Sequence, residues 1–129
     1  MAERKNTKDI IPISSENIKN LIHTIRGKQV MIDSDLAILY GVTTGNLNKA
    51  MKRNEDRFPD DFCFELTKDE YKNLMFQNGI SSSENNYGGR RKMPKAYTEQ
   101  GISMLSAVLR SEVATKVSIT IMRTFVEMR

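Results

Sequence analysis

One stretch constrains this chain more than any other: Asp33 to Lys52, which reads DSDLAILYGVTTGNLNKAMK. It meets the demands of two short helices packed across a tight turn. A small side chain is needed on the first helix where the second crosses it, and Ala37 stands there. The turn needs a residue that tolerates a left-handed backbone, and Gly41 follows. Leu36, Tyr40, Val42, Leu47 and Ala50 fall at the positions that point into the angle between the helices. Asp33 is placed to break a preceding strand and cap the first helix. Thr43 or Thr44 caps the second, which spans about Gly45 to Arg53. The segment fits a helix-turn-helix.

The positions that packing leaves over form the outer face of the second helix: Thr43, Thr44, Gly45, Asn48, Lys49 and Lys52, with Asn46 at the edge. Asparagine can pair bidentately with adenine, threonine can meet a base or a thymine methyl, and lysine reaches guanine or phosphate. Gly45 lets a backbone approach closely. The same geometry also serves two core helices with a merely polar outer face, so charge placement has to separate the readings. Thr43 to Arg57 carries the cations Lys49, Lys52, Arg53 and Arg57 against two acids. Gly88 to Lys95 carries Arg90, Arg91, Lys92 and Lys95 with no acid. From Phe58 to Glu70 the sign reverses, with Asp60, Asp61, Glu65, Asp69 and Glu70 against a single cation, Lys68. The chain is therefore polarised into a basic and an acidic side. The Gly-rich basic stretch is suited to following a phosphate backbone.

Around this segment the pattern predicts an α+β fold: a small β-hairpin or sheet, the embedded helix-turn-helix, and helices at the C-terminal end. Ser14 to Glu16 opens a helical turn. Leu21 to Ile25 and Val30 to Ile32 flank Arg26-Gly27-Lys28-Gln29 as a hairpin. Phe62 to Leu66 alternates as a short strand, and Thr67 with Glu70 forms a capping box for a helix from Lys68 to about Gln77. Thr98 caps a helix from Glu99 to about Leu109, and Ser111 caps the last one, from Glu112 onward. With 129 residues, one domain is expected over residues 14–129. A polar, flexible arm (residues 1–13) precedes it, and a basic surface loop (residues 78–95) interrupts it. No apolar run approaches the roughly 18 residues that span a bilayer. Cytoplasmic localisation without membrane contact is expected.

The resemblance to a known family rests on several long blocks in order: IRGKQVMIDSDLAILYGV (25–42), LNKAMKRN (47–54), RFPDDFCFELT (57–67) and GGRRKMPKAYTEQGISMLSAVLRS (88–111). The chain resembles the phage KilA-N superfamily, specifically its ORF-six-N branch, from about Ile18 to Arg129. The resemblance implies a double-stranded DNA-binding module in phage or prophage gene control of antirepressor type. It also implies a further C-terminal domain in the full protein. Site residues expected to contact DNA are Thr43, Thr44, Asn46, Asn48, Lys49, Lys52, Arg53, Arg90, Arg91, Lys92 and Lys95.

Two alternatives stand beside that reading. One is an antirepressor-like module that binds another regulator protein. The more distant one is a metal-dependent nuclease, suggested by Asp33/Asp35 and Asp60-Asp61. No enzyme activity, metal or cofactor is expected: the acids are explained as a cap, first-turn charges and a turn. Cys63 lies between Phe62 and Phe64 and reads as a buried, inert thiol. His23 reads as a packed or surface histidine. On the last helix, at 100° per residue, Val113, Ala114, Val117, Ile121, Phe125 and Met128 form a core stripe. Ile119, Met122 and Val126 form a second apolar sector, which predicts a homodimer through this helix.

Overall fold

The computed structural model describes residues 13–77 and 92–129. The expected arm (bar Ile13) and most of the expected basic loop, with Arg90 and Arg91, lie outside the described residues.

The chain starts with a short helix, α1 (Ser15–Lys19), capped by the Ser14 hydroxyl, which accepts from the Asn17 amide. Two strands follow, β1 (His23–Ile25) and β2 (Lys28–Ile32), paired antiparallel with His23 opposite Val30. The hairpin is tighter than the four-residue link that the sequence suggested. Arg26 and Gly27 alone make the turn, both at positive φ (57° and 73°), the arrangement that matches the strands' twist.

Helix α2 (Asp33–Tyr40) begins directly at the end of β2, and α3 (Thr44–Arg53) follows after Gly41-Val42-Thr43. Gly41 has φ 74° and closes α2 with its amide on the Ala37 and Ile38 carbonyls. A side chain at that φ would be strained. Thr43 rather than Thr44 caps α3: its hydroxyl accepts from the Asn46 amide at 3.0 Å. Leu36, Tyr40, Leu47 and Ala50 are buried as expected, but Val42 is 38% exposed. It sits in the turn itself, held to α2 by its amide on the Ala37 carbonyl at 3.0 Å, with its side chain left partly in solvent.

A 3-10 turn (Glu55–Arg57) leads to β3 (Cys63–Glu65), and α4 (Lys68–Gln77) follows. The Thr67/Glu70 capping box is present in both directions, at 2.8 and 3.1 Å. Strand β4 (Lys95–Thr98) was not anticipated, yet it is central: the antiparallel order is β1-β2-β4-β3. Its register pairs Met31 with Tyr97 on one side and Cys63 with Tyr97 on the other. Lys95 therefore belongs to the sheet rather than to the surface loop, and Pro94 just before it is buried, its carbonyl accepting from the Leu66 amide.

Helices α5 (Glu99–Leu109) and α6 (Glu112–Glu127) complete the chain, capped by Thr98 and Ser111 as their sequences indicate. The fold class is α+β, with six helices and a four-stranded antiparallel sheet among the described residues. Strand alternation splits the core. Met31, Cys63 and Tyr97 join a cluster with residues of α1, α2, α3, α5 and α6. Val30, Ile32, Phe64 and Ala96 join Tyr71 and Leu74 of α4. On α6 the buried stripe is Ala114, Val117, Ser118, Ile121, Thr124 and Phe125. Val113 leaves it and is 51% exposed, although Ala114 beside it in the same turn is buried.

Candidate nucleic-acid interface

The outer side of α3 does not face open solvent alone. It forms one wall of a concavity of about 500 Å³. Thr44, Gly45, Asn48, Lys49 and Lys52 supply that wall, and Lys92, Met93 and Lys95, leading into β4, supply the other. Two basic segments distant in the sequence thus meet across one groove. Lys49, Lys52 and Lys92 are exposed. Lys95 is half-buried, and its ammonium lies 3.7 Å from Glu65. The beginning of α3 opens onto the same surface, so the helix dipole adds partial positive charge to that of the lysines. Such a surface attracts polyanions and leaves backbone amides and small side chains within reach of what they carry.

Beneath the lysines lies one acid. Asp33 is 1% exposed and lines the concavity. It occupies the first turn of α2, whose N-cap position is Ile32; the expected capping role is not the one it plays. Its Oδ2 accepts from Asn48 Nδ2 at 2.8 Å and from the Lys95 backbone N–H at 3.1 Å. Its Oδ1 is buried without a hydrogen-bond partner. Asn48 in turn accepts the Tyr97 hydroxyl proton at 2.9 Å. Tyr97 packs edge-on against Phe58, with ring centroids 6.2 Å apart. Burial, with Cys63 and Asp33 nearby, pushes the Tyr97 hydroxyl well above its usual pKa, so it remains a donor.

The residues named from sequence therefore divide. Thr44, Asn48, Lys49, Lys52, Lys92 and Lys95 come together at the groove. Thr43 spends its hydroxyl on the α3 cap, and Asn46 stands exposed just outside the concavity. Arg53 is exposed in the last turn of α3, away from the groove lining. Asn48 is half-buried rather than fully exposed, and both ends of its amide are engaged. Sequence reasoning missed Asp33 and Met93 as lining residues. The one available signal for Asp33 was its place at a strand-to-helix junction, and the capping interpretation absorbed it.

Outside the groove, Cys63 is buried, and burial pushes its thiol up to about 11. His23 and Asp35 share a separate cavity of about 290 Å³. Burial lowers the His23 pKa, whereas burial and the neighbouring Asp33 charge raise Asp35 to about 6. On α6, Ile119 and Val126 are 45% and 61% exposed. Met122 is partly buried and lines a shallow groove with Phe62 and Met104. No helix of the described residues is long and apolar enough to cross a membrane.

Compared with known families, residues 20–108 match the family model described as the ORF6N domain. No curated protein and no solved structure matches the chain.

Proposed function

The chain belongs to the ORF6N domain family, a phage-type family, and from that premise we propose that it is a double-stranded DNA-binding module of a phage- or prophage-type regulator, within the KilA-N superfamily. The observation that carries this reading is the groove in which Lys49 and Lys52 of α3 face Lys92 and Lys95 across one concavity. A duplex backbone is a dense line of phosphates that clustered cations can neutralise, and the two helices α2 and α3 fit a helix-turn-helix. Thr44 and Asn46, at the start of α3, are the residues placed to meet base edges. Lys49, Lys52, Lys92 and Lys95 meet phosphates, and Arg53 adds charge on α3; Arg90 and Arg91, which lie outside the described residues, are proposed as phosphate contacts from the sequence alone. The function is binding rather than catalysis, in the cytoplasm, without a cofactor. Asp33, half of one acidic pair behind the nuclease alternative, is tied to Asn48 and Lys95.

Fluorescence anisotropy with a random-sequence duplex across a salt series tests the reading. Each phosphate contact contributes about −0.9 to the log–log salt slope. Replacing Lys52 and Lys92 by Gln is expected to make the slope shallower by about 2 and to weaken all duplexes alike. Binding that is absent, or indifferent to salt, sinks it. Plasmid cleavage on adding a divalent metal would instead support the nuclease.

A second reading concerns partners. The exposed Ile119 and Val126 on α6 favour a homodimer through this helix, which would set two α3 helices on one DNA face. The same surface would serve an antirepressor that binds another regulator. Sedimentation is expected to show a dimer at micromolar concentration, and Ile119→Glu with Val126→Glu to give a folded monomer. A monomeric wild type removes the dimer.

A further inference from the structure

A single oxygen is hydrogen-bonded to both walls of the groove. Asp33 Oδ2 takes one hydrogen bond from the Asn48 side chain on α3 and a second from the Lys95 backbone at the start of β4. Those two donors belong to the two separate segments that line the concavity, α3 and the lead into β4. Asn48 is then anchored from behind by the Tyr97 hydroxyl at 2.9 Å, from the middle of the central strand. With one donor and one acceptor site of its amide committed inside the protein, the half-buried Asn48 side chain is held in one orientation by Asp33 and Tyr97. A bidentate base contact would require an amide donor and acceptor pointing outward together.

We propose that Asp33 is a positioning residue that clamps the two walls of the basic groove at a fixed separation, with Asn48 as its strut and not as a base reader. The proposal rests on the DNA-binding reading for its purpose, but the clamp is a property of the fold and can be observed without DNA. The physical logic is that of a supported site: cations act together on a ladder of phosphates only if their spacing is held by groups behind them. The lysine side chains are long and flexible, so the separation must be set by the backbone they hang from. Asp33 acts on that backbone directly, through the Lys95 N–H, and on α3 through Asn48. Its carboxyl group also lies beneath the lysines, where a negative charge works against bound phosphate. A group retained there at an electrostatic disadvantage is consistent with a role in geometry.

Two substitutions separate the clamp from the charge. Asp33→Asn keeps one oxygen to accept both hydrogen bonds and removes the negative charge. Asp33→Ala removes the acceptor altogether. Amide hydrogen exchange by NMR reports on the clamp without DNA. In the wild type the Lys95 amide and the Asn48 side-chain amide are expected to be protected. Asp33→Ala loses protection at both while the Met31 and Tyr97 amides of the sheet stay protected, and Asp33→Asn restores it. Anisotropy with several unrelated duplexes then reads the consequence. Asp33→Ala weakens all of them by about tenfold or more, and Asp33→Asn binds at least as tightly as the wild type. The clamp is overturned if Lys95 stays protected in Asp33→Ala, or if Asp33→Asn is as damaging as Asp33→Ala. Should Asp33→Ala fail to fold, Asn48→Ala decides. An equal loss across duplexes supports the strut, and a loss at one base pair only makes Asn48 a reader and ends the proposal. A wild type that binds no duplex defeats the DNA reading alone, and the protection pattern still judges the clamp.

Discussion

The two faces of the sheet are built on different terms. The face carrying Met31, Cys63 and Tyr97 draws on five helices, and its side chains are mostly sealed from water. The face carrying Val30, Ile32, Phe64 and Ala96 is covered by α4. There the packing is supplemented at the surface: Arg26 donates to both Glu70 oxygens, at 2.7 and 3.1 Å, and lies 4.1 Å over the Phe64 ring. The first face holds its neighbours by area and close approach, the second by one helix and a charged fastening at its edge. The basic groove is mounted chiefly on the first face, through α3 and Tyr97, while Met93 of its lining packs against the second. A binding surface needs walls that do not move, and that face is the one able to hold them.

The many-helix face is most vulnerable at Gly101. A Cβ there would meet the Phe62 carbonyl oxygen at 1.9 Å, in a backbone also tied by Thr98 at 3.0 and 2.7 Å. Gly101→Ala is expected to unfold the chain or to cost upward of about 4 kcal/mol in urea denaturation. A small change in midpoint would mean that α5 can slide, and that the many-helix face is less rigid than described.

A matched pair of leucines sharpens it further. Leu47 is 0% exposed in the larger cluster and Leu74 is 6% exposed under α4. Leu47→Ala is expected to cost about 4 kcal/mol and Leu74→Ala about 2, since the thinner layer can collapse around the lost volume. Equal costs by chemical denaturation would erase the distinction.

Asp35, in the cavity beside α4, makes a smaller difference with a defined sign. Its pKa is raised from 3.8 to about 6, chiefly by burial and then by Asp33. The folded chain therefore holds more protons than the unfolded one between those values. This group's contribution to stability declines as pH rises through that window. Lowering of the His23 pKa acts oppositely on acidification, so the clean readout is the difference between wild type and Asp35→Asn. The Asp35→Asn variant is expected to be more stable than the wild type by about 1 kcal/mol above pH 6, with the gap closing near pH 4. A gap that does not change with pH would show that the carboxyl is solvated.

The smallest effect belongs to the edge fastening. Arg26→Ala is expected to cost about 0.5 kcal/mol, less at high salt, because the pair is exposed. A loss comparable with Leu74→Ala would make that charged edge a principal support of the thinner face.

Local chemistry made several elements legible. Ser14, Thr98 and Ser111 cap the helices that follow them, since a cap needs only its own side chain and an amide a few positions on. Gly41 and the apolar residues of α2 and α3 likewise declared a pair of helices, because their spacing is set by neighbours in the chain. Strand β4 was not legible. Four residues after a proline carry too little alternation to announce a strand, and Lys95–Thr98 becomes one because β2 and β3 bring donors and acceptors to both of its edges.

The basic groove shows the same division more sharply. That Lys49, Lys52, Lys92 and Lys95 are cations in two acid-poor segments is a property of composition, and the sequence by itself determined it. That these segments face each other was decided by the sheet, which carries β4 back beside the start of α2. The role of Asp33 was decided there too. A carboxyl at a strand-to-helix junction can cap its own helix, and locally that is its best use. Only when Asn48 and the Lys95 amide arrive from distant parts of the chain does it gain two donors in a site closed to water. Oδ2 goes to the donors that the fold delivers, because a buried acceptor gains more from two of them than from one local cap, while Oδ1 stays without a partner.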